Sequence, residues 1–205
     1  MSPRKYDMRK RSVAREETRQ RITEATAKLH GERGVLGTTW SDIANEADVS
    51  VATVYAHFPS LDELLPACGA LVMERVRPPR PESAAEVVGD GQGLQERLER
   101  VARTLYDFYE RGGPHIEVDV RERQLPGMRE WEQHLLDTVT ALVREALAEV
   151  PVDAPTVQVV CSFFDLPTFK ALVVRGVPPR AGAKTMARLA AFLVEQGQTS
   201  SQEER

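Results

Sequence analysis

The sequence predicts an all-α protein of about nine helices, with a three-helix domain at the N-terminus and a larger helical bundle behind it. Two observations carry this. Apolar residues return at intervals of three and four through most of the chain, the spacing of one helix face, and the alternation of a half-buried strand is nearly absent. Breaks fall where Gly and Pro gather, at Gly34, Pro59, Pro78-Pro79-Arg80-Pro81, Gly112-Gly113-Pro114, Leu125-Pro126-Gly127, Pro151 and Pro178-Pro179.

Ile22, Ala25 and Leu29 form the inner stripe of a first helix of about five turns at most, which Gly34 closes in the left-handed conformation. Trp40, Ile43, Ala44 and Ala47 make an i, i+3, i+4, i+7 stripe, opened by Thr39 with Asp42 three residues on, the pattern of a capping box. Asp48-Val49-Ser50 interrupts it, and Ser50 caps a third helix whose inner residues are Val51, Val54 and Phe58. Its outer residues are then Ala52, Thr53, Tyr55, Ala56 and His57. Pro59 ends it, Ser60 and Glu63 supply a second capping box, and a fourth helix runs from Leu61 through Leu64, Leu65, Cys68, Val72 and Val76.

Residues 78–93 read as a loop. Leu94, Leu98, Val101, Leu105 and Phe108 give a fifth helix, a brief helical stretch precedes Leu125, and a long helix runs through Trp131, Leu135, Val139, Leu142, Val143, Ala146 and Val150. One helical region covers Val157 to Val174. The last helix carries two stripes, Met186, Leu189, Ala190 and Leu193 beside Ala187, Ala191 and Val194. These last two helices have more apolar face than one contact buries, which predicts a homodimer closed by them as a four-helix bundle. The expected division is a flexible basic arm at 1–15, the three-helix head at 16–60, an effector-binding and dimerisation domain at 61–198 and a disordered tail at 199–205.

Hydrophobic residues at 41% and charged residues at 28% suit a chain that buries a core, and exclude a disordered one. No apolar run has the length of a membrane span and no secretory signal is legible, so a cytoplasmic protein without membrane contact is expected. Cys68 and Cys161 lack CxxC spacing and read as small buried hydrophobes. The net charge of −4 divides unevenly, since residues 1–21 carry eight Lys/Arg against three Asp/Glu. That is the composition of a phosphate-binding arm and equally of a solvated leader.

Two short helices joined by three residues, behind a packing helix, form the arrangement that lays the second helix in a DNA major groove. Thr53 and Tyr55 can hydrogen-bond phosphates or base edges, Ala52 and Ala56 can lie against thymine methyls, and His57 can reach a phosphate. With no arginine on this face, the usual pairing to guanine is excluded. The starts of the second helix at Thr38, Thr39 and Trp40, of the third at Ser50 and of the fourth at Leu61 offer N–H groups toward the backbone of a duplex.

Ile22-Thr23-Glu24-Ala25, Glu32-Arg33-Gly34, Thr38-Thr39, Asp42-Ile43-Ala44, Ala47-Asp48-Val49-Ser50, Thr53-Val54-Tyr55, His57-Phe58 and Glu63-Leu64-Leu65 together resemble the signature of the TetR family, over about residues 16–65. The resemblance implies an Ω-shaped homodimer in which a divergent C-terminal domain binds an effector and alters the spacing of two DNA-reading heads. The chain departs from the family at two positions that often carry basic residues, here Val51 and Leu61. Arg4, Lys5, Arg9, Lys10, Arg11 and Arg15 are placed to supply the missing phosphate affinity, by way of the adjacent minor groove.

Tyr106, Tyr109, Trp131, Phe163, Phe164 and Phe169 are candidates for lining an apolar ligand pocket, and equally for an ordinary filled core. Asp165 among them needs a partner if buried, either Lys170 or an arginine, or a cationic effector. His115, Glu117, Asp119 and His134 lack the clustering of a metal site, and no catalytic constellation or cofactor motif is legible. Pro66 should bend the fourth helix, as hinge or as static kink, and Pro167 should bend the region 157–174. The reading is a non-enzymatic repressor of a palindromic operator, released by a small-molecule effector. The alternative is a helical ligand-binding protein with a vestigial reading head.

Overall fold

The computed structural model describes residues 8–90, 93–125 and 127–203. Among them the chain forms α1 (Met8–Arg33), α2 (Trp40–Glu46), α3 (Val51–His57), α4 (Leu61–Val76), α5 (Ala84–Val88), α6 (Leu94–Gly112), α7 (Met128–Ala146), α8 (Ala154–Phe164), α9 (Leu166–Val174) and α10 (Pro179–Glu203), with short 3-10 turns at Pro81–Ser83 and Gly113–Ile116. The all-α prediction holds. The helices gather into two compact units, one ending at Arg75 and including Pro114–Met128, the other made of Val76–Gly113 and the chain from Arg129 onward.

The first unit is built on the stripes the sequence shows. Ile22, Ala25 and Leu29 of α1, Ile43, Ala44 and Ala47 beside α2, Val54 and Phe58 of the third helix and its cap, and Leu64 of α4 form one buried cluster. Trp40, Val49 and Ala67 pack against its edge. Gly34 closes α1 at φ 75°, its N–H donating to the His30 carbonyl at 2.9 Å. Between α2 and α3 the chain turns at Asp48, whose φ of 52° is tolerated because a short polar side chain visits the left-handed region more readily than other non-glycine residues.

Several boundaries differ from expectation. α1 begins at Met8, so residues 8–15 of the expected flexible arm are helix; they are Met, Arg, Lys, Ala and other residues that helices accept, with no Pro and no Gly between Met8 and Gly31. Arg4 and Lys5 lie outside the described residues. The first unit does not stop at residue 60, because α4 packs back on α1, with Cys68 Sγ 3.8 Å from His30 Nδ1 and Arg75 paired to Glu24 at 3.4 Å. α4 continues through Pro66 to Val76. The stretch before Leu125 forms no α-helix beyond the Gly113–Ile116 turn; the Asp119 carboxylate accepts the Arg121 N–H at 2.8 Å, a local bond that competes with helix formation.

In the second unit α10 packs along α6, with α8 and α9 beside it. The expected loop at 78–93 holds α5, whose Ala84 and Val88 are buried, and the Val88 carbonyl at its end accepts Arg100 Nη1 at 3.0 Å. The expected tail is helical as far as Glu203, with no proline to stop it. The region 157–174 is two helices bent by 42° at Asp165. Pro167 has no N–H to give the Phe163 carbonyl four residues back, so the ladder fails there. Two tyrosines of α6 repair it, as the Tyr106 hydroxyl donates to the Phe163 carbonyl at 2.9 Å and the Tyr109 hydroxyl to the Phe164 carbonyl at 3.0 Å. Among the described residues no single helix is long and apolar enough to cross a membrane.

Tyr109→Phe keeps the ring and leaves the buried Phe164 carbonyl without this donor, so urea denaturation should show a loss of about 1–3 kcal/mol. An unchanged midpoint would mean that the break is repaired by other means.

Candidate nucleic-acid interface

α2 and α3 are each seven residues long, too short to hold themselves, and each is fixed by its N-cap and its buried side. Thr39 Oγ1 accepts the Asp42 N–H at 3.1 Å while the Asp42 carboxylate accepts the Thr39 N–H at 2.9 Å, completing the expected capping box. The Thr39 hydroxyl and N–H, and then Arg33, hold the Asp42 carboxyl below its usual range. Ser50 Oγ accepts the Thr53 N–H at 3.1 Å and shares a hydrogen bond with Thr53 Oγ1 at 2.8 Å. In that pair one hydroxyl proton is used between the two oxygens and the other remains for an outside acceptor.

With Val54 and Phe58 wholly buried, the opposite side of α3 faces away from the cluster. Ala52 and Ala56 are exposed, Thr53 is half-buried, and Tyr55 is 44% exposed with its ring stacked on Trp40 at 4.7 Å. Val51, expected on the inner stripe, is instead 36% exposed; as the first residue of α3 it precedes the turn that Val54 carries into the core. At the other end, Arg19 Nη1 donates to the His57 carbonyl at 3.0 Å and its guanidinium lies 4.0 Å over the Phe58 ring, a cation at the negative end of the helix. Burial, then the charges of Arg15 and Arg19, push the His57 imidazole down.

A polar and small-residue face on a three-residue-linked helix pair is thus presented by a closed three-helix core, and residues 22–68 match the model of the family described as "Bacterial regulatory proteins, tetR family". The segment 22–68 is thus similar to the N-terminal domain of TetR-family regulators. The fold of the whole chain agrees. A TetR-family member from Streptomyces coelicolor A3 superposes with a TM-score of 0.60 at 22% identity, covering 86% of this chain and 98% of that one. The multidrug binding protein EbrR, complexed with imidazole, gives 0.58 at 22% identity over 86% and 94% of the two chains. A TetR regulator from Haloarcula marismortui ATCC 43049 gives 0.56 at 19% identity over 88% and 98%. No curated protein sequence matches the chain. The chain shares the fold of these solved structures.

Within this head the remaining predicted residues take distinct places. Lys10 and Arg11 are exposed on the first turns of α1, and the side chain of Arg9 lies outside the described ones. Thr38 is half-buried and its hydroxyl donates to the Gly34 carbonyl at 2.8 Å, which spends its proton inside the loop. Leu61 is half-buried at the start of α4. Sequence reasoning missed Arg19 and Glu122. Glu122 is buried and accepts the Leu36 N–H at 3.0 Å from 86 residues away, with no local pattern to announce it.

The aromatic candidates of the second unit come together only in part. Tyr106, Tyr109 and Phe169 are in mutual ring contact at 5.1–6.2 Å, and Phe164 is buried beside the helix break. Phe163 is half-buried, while Trp131 makes its ring contact with His134 at 6.0 Å. Burial pushes both tyrosine hydroxyls up, and the Asp165 charge adds to it; burial also pushes the Asp165 carboxyl up. Among the described residues no three His, Cys, Asp or Glu gather as metal ligands, and Asp119 forms a fork with Arg121 at 2.9 Å.

His30 of α1 faces α4, its Nδ1 beside Cys68 Sγ. Burial, and then the neighbouring His115, hold its imidazole down to about 4 against an ordinary 6.5. The unfolded chain therefore binds more protons than the folded one between these values, and stability falls as the pH drops through that window. Urea denaturation at about pH 7 and about pH 4.5 should show the wild type losing more stability on acidification than His30→Gln. Equal losses would remove His30 as the cause.

Proposed function

We propose that the chain is a transcriptional repressor that binds a palindromic operator as a homodimer and is released by a small-molecule effector. The observation that carries the DNA-reading part is the outer side of α3, where Thr53 and Tyr55 stand polar and accessible between Ala52 and Ala56 while Val54 and Phe58 fix the helix from behind. Tyr55 and Thr53 read base edges or phosphates, the two alanines lie against thymine methyls, and His57 approaches a phosphate. Val51 and Leu61 give no charge to the duplex, so Lys10, Arg11 and Arg15 along α1 supply the phosphate affinity, Arg9 with them.

A second copy is the partner that suits the second unit. Leu189 and Phe192 on α10 are 44% and 59% exposed, and Val159 on α8 is exposed as well, large apolar groups that a monomer leaves in water. Closing a two-fold interface there matches the symmetry of a palindromic site. For the effector, the aromatic cluster of Tyr106, Tyr109 and Phe169 with the half-buried Asp165 favours an aromatic cation. The similar fold of a protein named for multidrug binding supports a small-molecule ligand in this unit. Release then requires that the ligand bind one conformation of the dimer more tightly than the DNA-bound one.

With a duplex chosen by the wild-type protein from a random-sequence pool, Tyr55→Ala and Thr53→Ala should each weaken binding about tenfold in a gel shift at fixed salt. Removal of residues 1–14 should flatten the salt dependence. Wild-type affinity in both point variants would overturn the reading of α3, and failure to select any duplex would favour a ligand-binding protein with a vestigial head. Leu189→Asp with Phe192→Asp should sediment as a monomer where the wild type sediments as a dimer; an intact dimer would place the interface elsewhere.

A further inference from the structure

The head is completed by a segment that the chain order places between α6 and α7. Pro114–Met128 belongs to the first unit, and it meets that unit at two glycines near the end of α1. The His115 ring lies directly on Gly31, where a Cβ would collide with it. Glu122 lies on Gly34, where a Cβ would stand 2.7 Å from its Oε1. Ile116 is wholly buried in the same segment. Glu122 is only 6% exposed, and its carboxylate accepts the Leu36 N–H at 3.0 Å.

Leu36 is otherwise a weakly held position. Its own side chain is exposed, and the loop from Gly34 to Thr39 that contains it is tied on its inner side by the Thr38 hydroxyl and by the Thr38 N–H to the Val35 carbonyl at 3.2 Å. The next residues are the Thr39 cap and Trp40, and the Trp40 ring is the surface on which Tyr55 stacks. A buried carboxylate bond to a backbone N–H is among the stronger hydrogen bonds available to a protein. Placed four residues before Trp40, it removes freedom from the loop that leads directly into that ring.

We propose that Glu122 is a positioning residue for DNA reading, holding the α1–α2 loop at Leu36 and through it the Trp40 ring that orients Tyr55. The proposal rests on α3 being the reader. It assigns to the 114–128 segment a hold on this loop beside the bonds that Thr38 makes within it. Glu122→Gln keeps an oxygen acceptor at the same reach, whereas Glu122→Asp keeps the charge and withdraws it by one methylene.

The test uses the full chain with Trp131→Phe as background, so that tryptophan fluorescence reports Trp40 alone. Glu122→Asp should make Trp40 more accessible to acrylamide quenching and weaken binding to the duplex selected by the wild type about tenfold. Glu122→Gln should restore both to within about twofold. In a Trp40→Ala background, Glu122→Asp should cost little further affinity. Unchanged quenching and affinity in Glu122→Asp would overturn the proposal, as would an equal loss in Glu122→Gln or a full additional loss beside Trp40→Ala. If the wild type selects no duplex, the DNA-reading function fails, and the quenching experiment still decides whether Glu122 controls Trp40.

Discussion

The seam formed by Val54 and Phe58 against Ile22, Leu29, Ile43 and Leu64 is the constraint on which the reading head depends. A seven-residue helix has no stability of its own in water. Burying a valine and a phenylalanine contributes about 1.5–3 kcal/mol each, and the two together exceed what either cap supplies. The seam also fixes rotation about the helix axis. Once Val54 and Phe58 are inside, Ala52, Thr53, Tyr55 and Ala56 have only the outside left to them. Arg19 at one end of α3 and the Trp40 stack at its side then remove what freedom remains.

The second unit solves a different problem. A proline at position 167 denies the Phe163 carbonyl its helical donor, and an orphaned carbonyl in a core costs as much as a lost hydrogen bond. Tyr106 and Tyr109 answer it from α6, so the aromatic cluster is held at the bend by two hydroxyls as well as by ring packing. A half-buried carboxylate stands at the break, Asp165, and its charge is felt by both tyrosine hydroxyls, which distinguishes the cluster from an ordinary apolar core.

Much of this was legible in the chain itself. The stripe of Trp40, Ile43, Ala44 and Ala47, the caps at Thr39 and Ser50 and the break at Asp48 locate α2 and α3 because each signal is local, within one or two turns. Helix ends were read less well where the signal is an absence: nothing between Met8 and Gly31 stops a helix, and the basic composition of that stretch says nothing against one. Val51 fell on the inner stripe by spacing, yet the first residue of a helix lies before the turn that reaches the core. Glu122 and the Tyr106 and Tyr109 bonds were illegible because they join residues 86, 57 and 55 positions apart, and no periodicity carries that information.

The central claim is that the outer side of α3 lies against the bases of a duplex. Photocrosslinking of the selected duplex, with 5-iodouracil in place of thymine, followed by mass spectrometry of the adduct, tests it most directly. Adducts on the peptide that contains Val51–His57, and on Tyr55 above all, are the predicted result. A duplex that binds and yields adducts only from the second unit would contradict it.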